Sequence, residues 1–402
     1  MSRPTVRAMS SWALLGGMAL LAAIPPGGAG CAGPLDTSPP GSTDLPSGDV
    51  LSATLASSAD GAILPTLTRF VAAMEALDGA VVAWQAAPED AGAQAGAQAA
   101  WADAMAVWQE AELMQVGPAG SSLTAIGGQD LRDRIYSWPS INPCRVDQET
   151  VERDYDDPGF ADSELVNVLG LDAIEHLVYA GDGNTCPGQV EINTEGTWDA
   201  LGEQGVAAHR ADYVAVLVDD VHASAEALVA AWEGSFGDDL ATGRGAYASQ
   251  QEALNALYDG LFYLEKTTKD RKLATPLGII DCSTGTCPDT VESLPSGTSH
   301  RWIVANLTGF RALFDGGEGA GFDDLLADLG HADLAADVLA RLDEADAAAA
   351  ALSMPIDAAL TQEPEALQSL HDAVKGVADL LKGDVATVLT LEIPAEAAGD
   401  ND

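Results

Sequence analysis

A polar stripe on an otherwise apolar helix is the part of the sequence with the clearest chemistry. It lies in residues 170–179, which run Gly-Leu-Asp-Ala-Ile-Glu-His-Leu-Val-Tyr. Asp172, Glu175 and His176 share one helical face, because positions three and four apart lie above one another, and Tyr179 follows one turn later on that face. Apolar residues fill the rest of the helix, so it is expected to be buried. Buried carboxylates are costly unless paired, protonated or bound to a metal, and this acidic stripe is therefore the first candidate site.

The acidic stripe contains the residue types of a metal site. Asp172 and Glu175 are expected to direct two carboxylates into one space, and hard cations prefer such oxygen ligands. The imidazole of His176 adds affinity for iron, zinc or copper. One helix offers too few ligands, so others must come from elsewhere in the chain. The alternative is that these polar residues cap neighbouring helices or pair with arginines and only fix helix packing.

Residues 265–273 concentrate positive charge in a strongly acidic chain. They run Glu-Lys-Thr-Thr-Lys-Asp-Arg-Lys-Leu and contain four of the 18 basic residues, whereas the formal net charge of the chain is −44. A helix C-terminus favours basic residues through its dipole, and Glu265 with Lys269 forms an i,i+4 pair, which explains one or two of them. The other interpretation is a partner for buried acids or an anion site, which would involve Lys269, Asp270 and Lys272.

A second, weaker group precedes Trp138-Pro139 and consists of Arg132, Arg134 and Tyr136. These arginines could neutralise the acidic stripe by folding over it, or form ordinary surface salt bridges. The sequence lacks a His-Glu-x-x-His motif, a Gly-x-Ser-x-Gly elbow and a phosphate-binding glycine loop. It therefore supports neither a zincin-type protease nor a serine hydrolase.

The charge of the chain excludes one class of partner. With 62 Asp and Glu against 18 Lys and Arg, its surface repels phosphate backbones, so no nucleic-acid partner is expected. A solvated acidic surface is a simpler interpretation of this charge than a specific cation store. The 402 residues are compatible with two domains.

The N-terminus has the features of a bacterial secretory signal. Residues 1–30 combine two arginines, a short apolar run and a small-residue end. The Gly-Ala-Gly before Cys31 resembles a lipobox, which predicts lipidation of Cys31 and membrane anchoring in the cell envelope, facing the periplasm or the cell surface. An ordinary cleavage site beside a disulfide cysteine is the alternative. Residues 31–48, rich in Pro, Gly, Ser and Thr, are expected to form a flexible tether.

Four cysteines remain after the lipidation site, and export makes disulfides permissible. Four cysteines allow three pairings. Cys282 and Cys287 lie in a tight polar loop and could pair with each other, which would leave Cys144 with Cys186. A metal site is the rival interpretation, but no Cys-x-x-Cys or histidine spacing supports it.

Apolar residues recur at spacings of three and four through most of the chain, without alternating β-branched runs. The sequence therefore predicts an all-α fold. We expect two helical bundles, an N-terminal bundle at 49–240 with the acidic stripe and a C-terminal bundle at 241–395. The helix with the acidic stripe is expected to run from about residue 163 to 179.

The order of several segments points to a known family. These segments are 101–118, 135–139, 170–179 and 269–278. In this order, behind a lipoprotein leader, they resemble the imelysin-like (peptidase M75-type) bacterial lipoproteins. The signature of that family is Gly-x-His-x-x-Glu. Gly170 and Glu175 match it, whereas Asp172 stands at the His position, so the chain is more similar to the branch whose motif runs Gly-Leu-x-Ala-Leu-Glu.

The resemblance implies two all-helical domains and a site for a metal or small ligand near their interface. Iron is the favoured metal and envelope iron-uptake components are the expected partners, because family members have been linked to iron uptake. Asp172 and Glu175 would form the centre, with Glu112 and His176 as further ligands. The expected supporting residues are Gly170, Tyr179, Arg132, Arg134, Lys269, Asp270 and Lys272. A metal-dependent peptidase, with Glu175 as base for a metal-bound water, and a structural or interaction lipoprotein are the alternatives.

Overall fold

The computed structural model describes residues 45–394. The expected signal segment, the lipidation site Cys31 and most of the tether lie outside the described residues. Within 45–394 the chain forms helices and no strand, so the predicted all-α class is confirmed. The division into bundles at residue 240 stays a prediction.

The N-terminal part of the described chain contains ten α-helices. They are α1 Gly48–Ala56, α2 Leu64–Ala86, α3 Ala91–Ala111, α4 Leu131–Ile135, α5 Pro143–Glu152, α6 Phe160–Ser163, α7 Gly170–Tyr179, α8 Glu191–Thr194, α9 Thr197–Ala231 and α10 Gly237–Thr242. Within residues 45–394, four π-helical segments interrupt or extend α-helices: Ser57–Ile63, Trp232–Phe236, Leu264–Ala274 and Leu381–Val385. The short 3₁₀ segments are Gly117–Ala119, Asp154–Asp156, Val166–Val168 and Pro288–Thr290.

The C-terminal part continues with eight α-helices. They are α11 Gln250–Leu261, α12 Thr275–Leu277, α13 Ser299–Phe314, α14 Phe322–Asp328, α15 Ala332–Ala351, α16 Ile356–Gln362, α17 Pro364–Leu380 and α18 Ala386–Val388. The basic residues at 266–272 thus lie in the π-helical segment Leu264–Ala274, a helix form found frequently at functional sites.

A continuous apolar core runs through the described chain, from Leu51 to Leu391. Helices α2, α3 and α9 pack against one another, α7 packs on α3 and α9, and α13 packs on α3. The stretch Gly48–Ala86 is long and apolar enough to span a membrane by composition, but half of its most apolar window is buried inside the fold. This burial is typical of a core helix, because the same apolar side chains face α3 and α9 instead of solvent.

Helix α7 starts later than the sequence suggests. It begins at Gly170, and residues 163–169 instead form the end of α6 and a 3₁₀ turn. Gly170 has a φ of +81°, and a Cβ added to it would lie 2.8 Å from the carbonyl oxygen of Ile135. Because only glycine tolerates this conformation and this approach, the signature glycine fixes where the acidic stripe begins.

Helix α3 holds α7 at both ends. The indole Nε1 of Trp101 donates a hydrogen bond of 2.8 Å to the carbonyl oxygen of Leu171. Gln94 and Gln98 donate bonds of 2.9 and 2.8 Å to the carbonyl oxygen of Val178. Since the last carbonyls of a helix have no partner within it, these amides satisfy an acceptor at the end of α7 and fix its axis.

A close helix crossing brings α13 against the end of α3. A Cβ on Gly309 would lie 2.1 Å from the carbonyl oxygen of Glu110, so only glycine permits this approach. One turn before it, Asn306 donates a hydrogen bond of 2.8 Å to the carbonyl oxygen of Gln109. The crossing therefore carries side chains of the C-terminal half to the end of α3, where Glu112 lies.

Both disulfides have the pairing considered from the sequence. Cys144 pairs with Cys186, and Cys282 pairs with Cys287. The first disulfide joins the start of α5 to the loop that follows α7, and the second closes the loop after α12. The metal interpretation of these cysteines is therefore wrong.

Candidate functional site

Asp172 lies in the first turn of α7 and is buried. Its Oδ2 accepts a hydrogen bond of 2.8 Å from the Ser137 hydroxyl. Burial raises the pKa of Asp172 to about 6, although the hydrogen bond from Ser137 opposes the shift. No salt bridge to this carboxylate is found among residues 45–394, so its charge depends on hydrogen bonds alone.

Glu175 lies one turn further along the same face and is also buried. The backbone N–H of Ser296 donates a hydrogen bond of 3.1 Å to its Oε1. Burial raises the pKa of Glu175 to about 7, with opposing hydrogen bonds from Ser296 and a further rise caused by the nearby negative charge of Glu292. In the described chain Glu175 likewise has no salt bridge. Asp172 and Glu175, called the acidic pair below, are two buried carboxyls without a cationic partner.

Glu112 is buried too, but its charge is compensated. The Lys272 Nζ lies 2.6 Å from its Oε2, and Arg132 Nη2 lies 3.3 Å from its Oε1. Asn306 donates a further hydrogen bond of 3.2 Å to Oε2. Burial alone would raise the pKa of Glu112, but the positive charges of Lys272 and Arg132 outweigh it and bring the pKa below its ordinary value. Glu112 is therefore held as a carboxylate inside an ion-pair network.

Glu292 belongs to the same network as Glu112, because both contact Lys272. Its Oε1 accepts hydrogen bonds from the Tyr136 hydroxyl at 2.6 Å and from Gln109 at 3.0 Å, and lies 3.2 Å from Lys272 Nζ. Its Oε2 has no hydrogen-bond partner within residues 45–394. Burial raises the pKa of Glu292 against the positive charge of Lys272. One lysine thus serves two buried carboxyls, and Glu292 keeps an unsatisfied oxygen.

His176 contacts another acid. Its Nε2 lies 2.9 Å from Oδ1 of Asp147 on α5. The other oxygen of Asp147 accepts hydrogen bonds from the backbone N–H and the hydroxyl of Thr185, at 2.6 and 2.7 Å. Burial would raise the pKa of Asp147, but the contacts with His176 and Thr185 lower it overall. This arrangement ties α7 to α5 and to the loop after α7, and the role of His176 as a further ligand stays a prediction.

The lysines of residues 265–273, called the basic cluster below, have two sets of partners. Lys272 contacts Glu112 and Glu292, as expected if the basic cluster provides partners for buried acids. Lys269 is buried with its Nζ 3.0 Å from Asp270 and 3.8 Å from Glu265. Lys269 and Asp270 therefore form a local pair within the π-helical segment.

The two remaining supporting residues have structural contacts. Arg134 binds Asp220 on α9, with its Nε 3.0 Å from Oδ1, and so fastens α4 to α9. The Tyr179 hydroxyl donates a hydrogen bond of 3.1 Å to the carbonyl oxygen of Gln98. Both contacts position elements around the acidic pair.

The donor chemistry of the acidic pair fits a hard cation. Two carboxyls on one helix face offer oxygen ligands, and burial disfavours their charged forms unless a positive charge is added. Glu112, His176 and the acidic pair do not form a three-ligand cluster in the described chain. The single group whose ligand atoms lie within 4.8 Å of one another there is Glu149, Glu152 and Asp154. A metal at the acidic pair would therefore keep water among its ligands.

Sequence reasoning missed Glu292 and Ser296, and there was little signal for either. Both lie in the segment between α12 and α13, where no helical period places residues on a face. Asp147, the partner of His176, lies on α5, and the composition of α5 is that of an ordinary surface helix. These residues reach the site through tertiary contacts that local spacing does not encode.

Comparisons with known proteins agree with this architecture. A crystal structure of an imelysin-like protein from Psychrobacter arcticum 273-4 matches with a TM-score of 0.65 and 18% identity, covering 86% of this chain and 97% of that one. A "putative iron-regulated protein A precursor" from Parabacteroides distasonis ATCC 8503 matches with a TM-score of 0.66 and 17% identity, covering 87% and 97%. No match is found among curated proteins. The family model of imelysin, peptidase M75, matches residues 63–382, and the chain therefore belongs to the imelysin family.

Proposed function

We propose that this imelysin family member binds a metal ion at the acidic pair, with iron as the favoured metal, and acts in iron handling in the bacterial envelope. The observation that carries the proposal is that Asp172 and Glu175 are buried without a cation, while the neighbouring acid Glu112 has two. A protein that needs these side chains only for packing gains nothing from their charge. A bound metal ion supplies the positive charge that the acidic pair lacks.

The residues around the acidic pair suit this role. Asp172 and Glu175 would hold the ion through carboxylate oxygens, which are hard ligands that ferric iron accepts. Ser137 and Ser296 donate hydrogen bonds to these carboxylates and so restrict their orientation. Glu292 is a candidate for a further ligand, because its Oε2 has no hydrogen-bond partner in the described chain and its negative charge raises the pKa of Glu175.

The proposed location rests on the N-terminal sequence and on one relative. Lipidation at Cys31 would anchor the chain, and residues 31–48 would hold the helical part away from the membrane surface. The Parabacteroides protein is named a precursor and iron-regulated, which supports an exported protein with a link to iron. Partners in this proposal are envelope components that deliver or accept iron.

The test is a titration of the purified full chain with ferric citrate, ferrous, zinc and copper ions at pH 7.5. Asp172→Asn and Glu175→Gln remove the charges but keep the shapes of the acidic pair. Glu152→Gln is the matched control, because it removes a charge from Glu149, Glu152 and Asp154, the acidic group with ligand spacing within residues 45–394. Circular dichroism of each variant reports whether the helical fold persists.

The proposal predicts stoichiometric binding that is lost in both acidic-pair variants and retained in the Glu152 variant. Binding lost only in the Glu152 variant would place the metal at the group of Glu149, Glu152 and Asp154 and contradict the proposal. Metal-dependent cleavage of an unfolded protein substrate, abolished by Glu175→Gln, would instead favour a peptidase. Unchanged metal binding in every variant would favour a structural or interaction role.

A further inference from the structure

The acidic pair is enclosed by the fold and has little access to solvent. Asp172 and Glu175 are each only 4% exposed, so a hydrated ion cannot reach their carboxylates directly. Helices α7 and α13 both pack on α3 in this region, and all three belong to the continuous apolar core. The segment that precedes α13 is instead an irregular turn at the surface. An ion that reaches the acidic pair requires part of the enclosure to move, and this turn is the part that can.

Residues 293–298, called the strap below, lie between two fixed ends. At one end the preceding Glu292 accepts a hydrogen bond of 2.6 Å from the Tyr136 hydroxyl. At the other end Ser299 begins α13, and its Oγ accepts a hydrogen bond of 3.2 Å from the backbone N–H of Ile356. The strap can therefore move without displacing the elements on either side of it.

The strap covers Glu175 through a backbone contact. The N–H of Ser296 donates a hydrogen bond of 3.1 Å to Oε1 of Glu175, whereas Ser296 itself is partly exposed. The strap thus stands between this buried carboxyl and solvent. On its outer side, Leu294 is 40% exposed and Pro295 is exposed as well. Because these side chains pack on little, an outward movement of the strap breaks few contacts.

The backbone of the strap has the conformation of a hinged turn. Ser293 has a φ of +52° and Gly297 a φ of +66°. Serine adopts this left-handed conformation only with strain, and strained residues cluster at ligand clamps and switch segments. The N–H of Gly297 donates a bond of 3.0 Å to the carbonyl oxygen of Ser293, and Trp302 Nε1 donates one of 2.9 Å to Ser293 Oγ. The turn is therefore closed on itself and held on α13 at Ser293.

We propose that the strap closes over Glu175 in the apo protein and opens to admit the metal ion to the acidic pair. This inference rests on the proposed function, because it gives the ion proposed there its route of entry. Opening breaks the bond from Ser296 to Glu175 and frees Oε1 as a ligand atom. The same contact explains how a site for an ion is built without an open channel.

An engineered disulfide can lock the strap. A Cβ on Gly297 would lie 4.0 Å from Cβ of Pro355, just before α16, and a disulfide requires about 3.5–4.5 Å between Cβ atoms. The double variant Gly297→Cys, Pro355→Cys is compared with itself in its oxidised and reduced forms, and mass spectrometry confirms the new bond. Wild type treated with the same phosphine, which is removed before measurement, controls for reduction of the native disulfides.

The first readout is carboxyl labelling of the full chain and needs no metal. A water-soluble carbodiimide with glycine ethyl ester labels carboxyls that solvent reaches, and peptide mass spectrometry measures the rate at Glu175. Glu89, which is exposed, is the internal reference. The lock should slow labelling of Glu175 at least about tenfold relative to the reduced form and leave Glu89 unchanged. Gly297→Ala should instead speed it about fivefold to thirtyfold, because alanine disfavours the left-handed closed form.

The second readout is anaerobic uptake of ferrous iron by the same proteins. Tryptophan fluorescence follows the uptake, since Trp302 contacts the strap. The oxidised double variant should take up iron at least about tenfold more slowly than its reduced form and reach the same final occupancy. Rate and occupancy together separate the route of the ion from its binding site.

Three results decide against the strap or against the function on which it rests. Equal labelling of Glu175 in the oxidised and reduced forms would show that the strap does not cover this carboxyl. Labelling that the lock slows, with iron uptake that it does not slow, would mean that the ion enters elsewhere, while the proposed function would stand. If no form binds iron at equilibrium, the proposed function fails and so does the route of entry, whereas labelling would still tell whether the strap covers Glu175.

Discussion

Replacing Glu175 by Gln should change how the stability of the apo protein depends on pH. The pKa of Glu175 is about 7 in the fold and 4.5 in its ordinary state. The folded protein therefore binds the proton more tightly than the unfolded chain, and its stability falls as pH rises between these two values. A shift of this size corresponds to about 3 kcal/mol, of which about 2.5 kcal/mol falls between pH 5 and pH 8. Glutamine fits the same hydrogen-bonded space without a charge, so the variant escapes this loss.

The assay is urea unfolding of the full chain at pH 5 and pH 8 in the presence of a chelator, followed by far-ultraviolet circular dichroism. The stability of Glu175→Gln relative to the wild type should rise by about 2.5 kcal/mol between the two pH values. Glu89→Gln is the control, because Glu89 is exposed and water hydrates its charge in both states. A difference between wild type and Glu175→Gln that does not vary with pH would refute the reasoning, since it would mean that burial does not disfavour the charged form.

Three further predictions concern the same region. Lys272→Met should lower the unfolding free energy by about 3–5 kcal/mol, because buried carboxyls lose their lysine, and adding Glu112→Gln should recover part of the loss in urea titrations. An unchanged midpoint would contradict the network. Replacing Cys144 and Cys186 by Ser should cost about 4 kcal/mol, as expected for a sequence separation of 42 residues, and a melting temperature equal to that of the intact protein would contradict this. Metal affinity of the acidic pair should increase as pH rises through 6 to 7, because protons compete with the metal; pH-independent titrations would refute it.

Local periodicity was sufficient to predict much of the fold. The all-α class and the burial of α7 follow from apolar spacing, and both are observed. The basic cluster was interpreted as a partner for buried acids, because a concentration of lysines is unusual in so acidic a chain. The structure shows this contact at Lys272. The start of α7 at Gly170 was not predicted, since its positive φ reflects the approach of the Ile135 carbonyl from another element.

Neighbours from distant segments decide which acid is compensated, and sequence spacing could not show this. From the family resemblance, Glu112 was expected to act as a further ligand beside the acidic pair. The structure separates them, because Lys272 and Arg132 neutralise Glu112 while Asp172 and Glu175 receive only hydrogen bonds from Ser137 and Ser296. The crossing of α13 over α3 brings in the amide that completes the Glu112 network, and that crossing depends on a single glycine.

The energetic contrast between these acids is the physical argument for a ligand at the acidic pair. Ionising Glu175 in the fold costs about 3 kcal/mol, a large fraction of the 5–15 kcal/mol that stabilises a typical domain. Glutamine could occupy the position of Glu175, and asparagine could occupy that of Asp172, without the cost of ionisation. Helix packing alone therefore does not require the acids. A cation that binds there offsets the cost and gains from the same low-polarity surroundings that impose it. The charge that weakens the apo protein above pH 7 is thus the charge that would attract and hold the metal.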